Sequence, residues 1–101
     1  MSVTIIARFP VADVEKAKAG LQANAALLEE ITEDTKSGGL IHHTFVAGEG
    51  ELVVIDEWGT AEQFQRFFEG NAKVAKITEA IGVTGPPAVA IYNEVEAAGK
   101  V

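Results

Sequence analysis

The chain has 101 residues, and fifteen acidic residues against eight basic ones give it a net charge of −7. This length fits one domain with one core, and the negative charge argues against binding to nucleic acid or to an anionic membrane surface. Cysteine is absent, which excludes disulfides, thiolate catalysis and zinc–thiolate sites.

The N-terminal segment has the pattern of a strand and not that of an export signal. Residues 3–11, VTIIARFPV, are rich in β-branched side chains and close on Pro10. No basic region precedes them, Arg8 interrupts the apolar run, and no apolar stretch approaches the ~18 residues of a membrane helix. We therefore expect a cytoplasmic protein.

A long helix is predicted over residues 13–36. Asp13 can cap its first turn, and apolar side chains then recur at three- and four-residue spacing, at Val14, Ala17, Leu21, Leu28 and Ile31. The pair Gly38-Gly39 ends this helix.

Residues 40–47 and 51–58 are predicted to form a hairpin. A three-residue loop, Gly48-Glu49-Gly50, joins the two strands, and Gly50 can take its left-handed position. The sequence TAEQF then reads as a capping box, with Thr60 at the N-cap and Gln63 reaching back.

The second helical region carries three phenylalanines, Phe64, Phe67 and Phe68, at helical spacing. Gly70 interrupts this region, and Asn71 can cap its continuation. After the loop GVTGPP the last strand is predicted over residues 88–95.

The resulting order, β-α-β-β-α-β, predicts an α+β fold of the ferredoxin-like kind. Four antiparallel strands carry both helices on one face, in a single domain over residues 1–96 with a tail at 97–101. Because the strands are apolar on both faces, the face without helices also needs cover. We expect a homodimer that packs sheet to sheet.

The only histidines, His42 and His43, are adjacent on a predicted strand and therefore point to opposite faces. With the three-residue loop, His42 lies opposite Asp56; a two-residue loop would pair His43 with Asp56 instead. Such a pair can hold a general base in one tautomer, or it can simply satisfy two polar groups. We predict His42 and Asp56 as catalytic residues. No metal is expected, because the ligands are too few.

Six further residues are candidates for substrate binding. Asn24 lies on the apolar stripe of the first helix, where a buried amide needs a partner, although a place at the rim is the alternative. The aromatic residues can wall a pocket for a flat molecule, but helical spacing of phenylalanine also fits plain core. The candidate set is Asn24, His43, Trp58, Phe64, Phe67 and Tyr92.

The stretches IHHTFVAGEGE and VVIDEWGTAEQFQRFFEGNAKVAKI resemble the antibiotic-biosynthesis monooxygenase family of dimeric α/β barrels. The motif W-x-[ST]-x-E-x-F is carried by Trp58, Thr60, Glu62 and Phe64, and the element order matches over nearly the whole chain. The resemblance implies a sheet-to-sheet dimer with a cavity between sheet and helices in each subunit. It also implies cofactor-independent oxygenation of aromatic phenols as one activity of the family.

The haem-degrading members of that family can be compared residue by residue. The resemblance would require an Asn on the first strand, a Trp in the second helix and a His ligand further along that helix. Ala7, Phe67 and Lys76 stand at those places, so haem degradation is disfavoured and no cofactor is expected.

The predicted function is a small monooxygenase or oxidase acting on a phenolic, anthrone-like or quinol-type aromatic. His42, oriented by Asp56, would remove a proton from the substrate, and the electron-rich anion would react with O₂. The alternative is a non-catalytic dimeric barrel for ligand binding or stress response, with a cavity too small for a bicyclic ring.

Overall fold

The computed structural model describes residues 2–99. Its strands are β1 (Val3–Pro10), β2 (Leu40–Gly48), β3 (Glu51–Trp58) and β4 (Ala88–Asn93). Its helices are α1 (Val14–Ala23), α2 (Ala25–Gly38), α3 (Ala61–Phe68) and α4 (Ala72–Ala80). The strands form one antiparallel sheet in the order β2-β3-β1-β4. The ferredoxin-like α+β fold is thereby confirmed.

The predicted first helix is in fact two helices that meet at Asn24. Its start and end are as expected, since Asp13 accepts a hydrogen bond from the Lys16 N–H and Gly39 closes α2 with a φ of 116°. At Asn24 the side-chain amide donates to the Gly20 carbonyl at 2.7 Å. Asparagine competes for backbone partners in this way, which weakens a helix interior and favours a break there.

The second helical region follows its predicted capping signals. Thr60 and Gln63 form the reciprocal capping box at the start of α3. Asn71 accepts hydrogen bonds from the N–H groups of Lys73 and Val74, which begins α4. Each cap satisfies backbone donors that have no partner inside the helix.

The hairpin has a different register from the predicted one. Gly48 pairs with Glu51, so the turn contains two residues, Glu49 and Gly50, with Gly50 at a φ of 72°. The predicted pairing of His42 with Asp56 is therefore wrong: His43 lies opposite Asp56, and His42 pairs with Glu57. A shift of one residue exchanges the two faces of β2.

The helices lie over the two central strands, β1 and β3. Alternate side chains of β1 point to this side and are buried, at Val3, Ile5, Ala7 and Phe9. On the outer strands the same side is only partly covered, since Phe45 is 37% and Ile91 is 42% exposed. The space beneath the helices is therefore closed over β1 and β3 and reaches solvent at the β2 edge.

The last strand ends at Asn93, two residues before its predicted end, and residues 94–99 form neither strand nor helix. The end of the predicted tail at 97–101 falls outside the described residues. Within residues 2–99 no helix has both the length and the apolar character needed to cross a bilayer.

Candidate active site

A cavity of about 90 Å³ lies between the sheet and the helices. Its floor crosses from Phe45 on β2, over Val54 on β3, to Ala7 on β1, and its roof comes from α2, α3 and α4. The walls are apolar apart from a few side chains. Those exceptions are His43, Asp56 and the three threonines Thr32, Thr35 and Thr78.

Three side chains at the β2 side of the cavity form a chain of hydrogen bonds. His43 Nδ1 lies 3.0 Å from Asp56 Oδ1, and Trp58 Nε1 donates to Asp56 Oδ2 at 3.2 Å. Because an ionised carboxylate can only accept, the hydrogen of the neutral imidazole lies on Nδ1. The lone pair is then on Nε2, which is the arrangement that a general base needs.

The register explains how these groups meet. His43 and Asp56 are cross-strand partners, and Asp56 and Trp58 are two residues apart on β3, so all three point to the helix side. The Trp58 side chain is completely buried, whereas the side chains of Asp56 and His43 are 12% and 27% exposed. The imidazole thus stands at the mouth of the cavity, and its carboxylate partner stands behind it.

Aromatic rings line the interior beyond this chain. Phe67 lies 5.6 Å from Trp58 between ring centres, with the planes tilted by 34°, and Phe64 meets Trp58 edge-on at 5.9 Å. Phe68 stacks on Phe64 at 5.4 Å. The capping box starts α3 directly after β3, and the spacing of the three phenylalanines places them on one face of that helix. These walls suit a flat apolar molecule.

The three threonines add less polarity than their number suggests. Each hydroxyl donates to a carbonyl of its own helix: Thr32 to Leu28, Thr35 to Thr32, and Thr78 to Ala75. Their hydrogens are therefore not offered to a ligand. Within residues 2–99 no hydrogen bond engages His43 Nε2, so this nitrogen can accept a hydrogen bond from a ligand.

The structure brings five of the eight predicted site residues together: His43, Asp56, Trp58, Phe64 and Phe67. The other three lie elsewhere. Asn24 is outside the cavity, with its amide bound to Gly20. His42 and Tyr92 are exposed and lie on the sheet face without helices, with Tyr92 53% exposed. Sequence reasoning missed Thr32, Thr35 and Phe45 as lining residues, although Thr32 and Thr35 continue the apolar stripe of α2. Phe68 also lines the cavity; it is one of the aromatic residues that the sequence indicated as a possible pocket wall, although it was not in the candidate set.

The sequence matches no model of a known protein family and no curated protein. A four-stranded antiparallel sheet with one helical layer and a cavity between them defines the class as ferredoxin-like α+β. Within that class, the fold is similar to that of solved structures of antibiotic-biosynthesis monooxygenases.

Three solved structures document this likeness. The monooxygenase of the gene ActVA-Orf6 from Streptomyces coelicolor, in complex with nanaomycin D, aligns with a TM-score of 0.70 and 17% identity over 99% of this chain and 93% of that one. A variant of SnoaB, a cofactor-independent oxygenase from Streptomyces nogalater, aligns with a TM-score of 0.62 and 16% identity over 98% of each chain. An antibiotic biosynthesis monooxygenase aligns with a TM-score of 0.64 and 16% identity over 93% of this chain and 99% of that one. The resemblance is confirmed at the level of the fold.

Proposed function

We propose that the protein is a cofactor-independent monooxygenase or oxidase for a small aromatic of the phenolic, quinol or anthrone type. The observation that carries this proposal is the hydrogen-bond chain from Trp58 through Asp56 to His43 at the mouth of an aromatic-walled cavity. The shared fold supports it, since SnoaB is a cofactor-independent oxygenase and the ActVA-Orf6 monooxygenase is seen with nanaomycin D.

The first step is removal of a proton from the substrate hydroxyl by His43 Nε2. Asp56 keeps the imidazole in the required tautomer and compensates the positive charge that develops on it. Trp58 Nε1 fixes the second carboxylate oxygen, so Asp56 cannot rotate away from the histidine. General-base catalysis of this kind contributes about 10²–10⁴-fold to a rate.

The second step is reaction of the aromatic anion with O₂. The anion passes one electron to O₂, and the resulting radical pair combines at the ring carbon para to the oxygen. The peroxide takes a proton from His43, and loss of water leaves a carbonyl at that carbon. For 1-naphthol the balance is one naphthol and one O₂ giving one 1,4-naphthoquinone and one water. The apolar walls keep bulk water from the reactive anion.

The base in this proposal is His43 and not His42, which the sequence had favoured. The orienting carboxylate is the deciding feature, because Asp56 lies on the helix side of β3 and only His43 shares that side. The side chain of His42 points to the opposite face, beside Thr44 and Glu57.

The two histidines also provide a matched experiment. His43→Gln removes the base, and His42→Gln removes the same chemical group one residue away on the other face. With 1-naphthol in an oxygen electrode, we expect His43→Gln to lower kcat by at least about 100-fold. His42→Gln should keep kcat within about twofold, since its side chain lies on the face of the sheet opposite the cavity. Equal losses in the two variants would remove His43 from the mechanism.

A non-catalytic binding protein is the second candidate, and the small volume of about 90 Å³ favours it, because the interior has less room than a bicyclic substrate needs. Drug-sized ligands occupy pockets of about 300–1,000 Å³. This alternative predicts saturable binding of a phenol without any oxygen consumption or quinone formation. The oxygen electrode and the quinone absorbance distinguish the two functions in one experiment.

The proposal includes a homodimer that covers the other face of the sheet. Half-buried Ile6, Val53 and Ile55 lie at the centre of that face, with exposed Val46 and Tyr92 beside them. An apolar sheet face of this kind favours burial against a partner. Sedimentation equilibrium should give twice the chain mass, and Val46→Glu should return a folded monomer, because the charge would be buried in the dimer. A wild-type monomer at micromolar concentration would refute the dimer.

A further inference from the structure

A surface cleft lies next to the cavity, on the outside of the molecule. A cleft of about 440 Å³ opens between the end of β1, the α3–α4 junction and the loop before β4. Gly70 and Asn71 of that junction border it, together with Val83 and Pro87. It lies at the opposite end of the cavity from His43, since the cavity floor runs from β2 across β3 to β1.

Four residues border both spaces and so form the wall between them: Phe9, Phe68, Val74 and Thr78. Phe9 is a buried strand residue, and Thr78 is fixed to the Ala75 carbonyl. Phe68 carries the largest half-buried side chain of the wall. It is the last residue of α3, and it is held there by stacking on Phe64 at 5.4 Å.

The enclosed volume limits what fits on the His43 side of this wall. A dry engineered cavity of about 150 Å³ takes a benzene molecule. The present cavity has about 90 Å³ of enclosed space and an open mouth at Phe45. The interior is therefore no larger than a single ring requires, and a larger aromatic must extend out of the mouth. In the other direction, the wall at Phe68 separates the interior from the cleft.

We propose that Phe68 is the residue that sets substrate size, and that it restricts the site to phenols of one or two rings. This inference rests on the proposed function for the identity of the ligand, and it narrows that function by excluding three-ring anthrones in the wild-type protein. Removing the Phe68 ring would join the cavity to the cleft and admit the longer molecule.

Phe67 provides the matched control. Phe67 and Phe68 are neighbours on α3 and both line the cavity, but only Phe68 also borders the cleft. Phe67→Ala therefore widens the interior without opening it to the far side. Phe68→Leu is a milder second variant that keeps an apolar contact with Phe64, and circular dichroism verifies the fold of each protein.

The experiment measures binding of 1-naphthol and of anthrone by isothermal titration calorimetry without oxygen. We expect the wild-type protein to bind anthrone more weakly than 1-naphthol. Phe68→Ala should raise the affinity for anthrone relative to 1-naphthol by at least about tenfold, with Phe68→Leu in between. Phe67→Ala should raise that ratio by less than Phe68→Ala does, because the space that it adds stays closed on the side of the cleft.

Two results would overturn the role of Phe68. One is wild-type binding of anthrone as tight as that of 1-naphthol, and the other is the same shift in both alanine variants. Oxygen consumption is measured separately on the same proteins. If Phe68→Ala shifts the binding ratio but no protein consumes oxygen, the proposed oxygenase function is refuted and Phe68 remains the size determinant. If oxygen is consumed but the binding ratio does not shift, only the role of Phe68 is refuted.

Discussion

Asp56→Asn is the most informative single change in the site, because it keeps the shape of the side chain and alters only its hydrogen bonding. Asp56 accepts from His43 Nδ1 at one oxygen and from Trp58 Nε1 at the other. An asparagine has one accepting oxygen and one donating NH₂ group. It can satisfy only one of the two donors.

The buried indole decides which donor is satisfied. Trp58 is completely buried, and leaving its N–H without an acceptor costs about 1–3 kcal/mol. The His43 side chain is 27% exposed, so its nitrogen can exchange partners with water. The amide oxygen therefore turns to Trp58 and the NH₂ turns to His43 Nδ1. The imidazole must then accept at Nδ1 and carry its hydrogen on Nε2, which removes the base.

The expected loss equals the contribution of the base, about 10²–10⁴-fold in kcat, or about 2.7–5.4 kcal/mol in the activation barrier. The free energy of unfolding should change by less, about 1 kcal/mol, since a neutral hydrogen bond replaces a charged one at each partner. The oxygen-electrode assay with 1-naphthol gives the first quantity, and urea denaturation gives the second.

The tautomer itself can be measured without substrate. Long-range ¹⁵N–¹H correlation spectra report which ring nitrogen carries the hydrogen, and the chain has only two histidines to assign. His43 should change from the Nδ1–H to the Nε2–H form in Asp56→Asn, while His42 keeps its wild-type signals. An unchanged His43 tautomer together with unchanged kcat would refute the reasoning from the hydrogen-bond chain.

Two further predictions concern the helices. A Cβ on Gly20 would lie 2.7 Å from the Ala80 carbonyl oxygen, so Gly20→Ala should lower the free energy of unfolding in urea by about 1–3 kcal/mol. The control is Gly38→Ala, whose Cβ has ordinary contacts and which should be neutral or stabilising. Equal effects of the two variants would contradict the close approach of α1 and α4. The hydrogen bond to Asp34 raises the pKa of Lys73 above its ordinary 10.5, so its stabilising contribution is complete below that pH and is lost as pH rises through the raised value. The difference in Tm between the wild type and Lys73→Met should thus be present at pH 8 and should shrink as the pH rises beyond 10.5. A difference that grows with pH would contradict this sign.

The elements were predictable because their signals are local. The caps at Asp13, Thr60 and Asn71 act within three residues, and each begins a helix where the sequence indicates. The break at Asn24 was missed because the apolar spacing continues across it, while the competing contact is a single side-chain bond to Gly20. The spacing of apolar residues shows which face of a helix is buried, but it does not show whether the helix is continuous.

The sequence predicted the kind of site, a histidine paired with Asp56, but not the hairpin register that decides which histidine it is. A histidine facing Asp56 followed from the hairpin, but the choice between His42 and His43 depended on whether Gly48 belongs to the strand or to the turn. Phe45 was missed for a different reason, and for Phe68 only its position between the cavity and the cleft was not predicted. These positions depend on which strand lies at the sheet edge and on where two spaces adjoin, and both are properties of the tertiary arrangement.

The tandem imidazoles give β2 an unusual tolerance to slippage. If Gly48 left the ladder and joined the turn, the strand would slide by one position and carry the other ring to Asp56. Phe45 and Val46 are adjacent on the strand and point to opposite faces, so either alignment would still place one apolar side chain towards the interior. An insertion or deletion of one residue in this hairpin would therefore place His42 instead of His43 opposite Asp56, and a histidine–aspartate pair would still form.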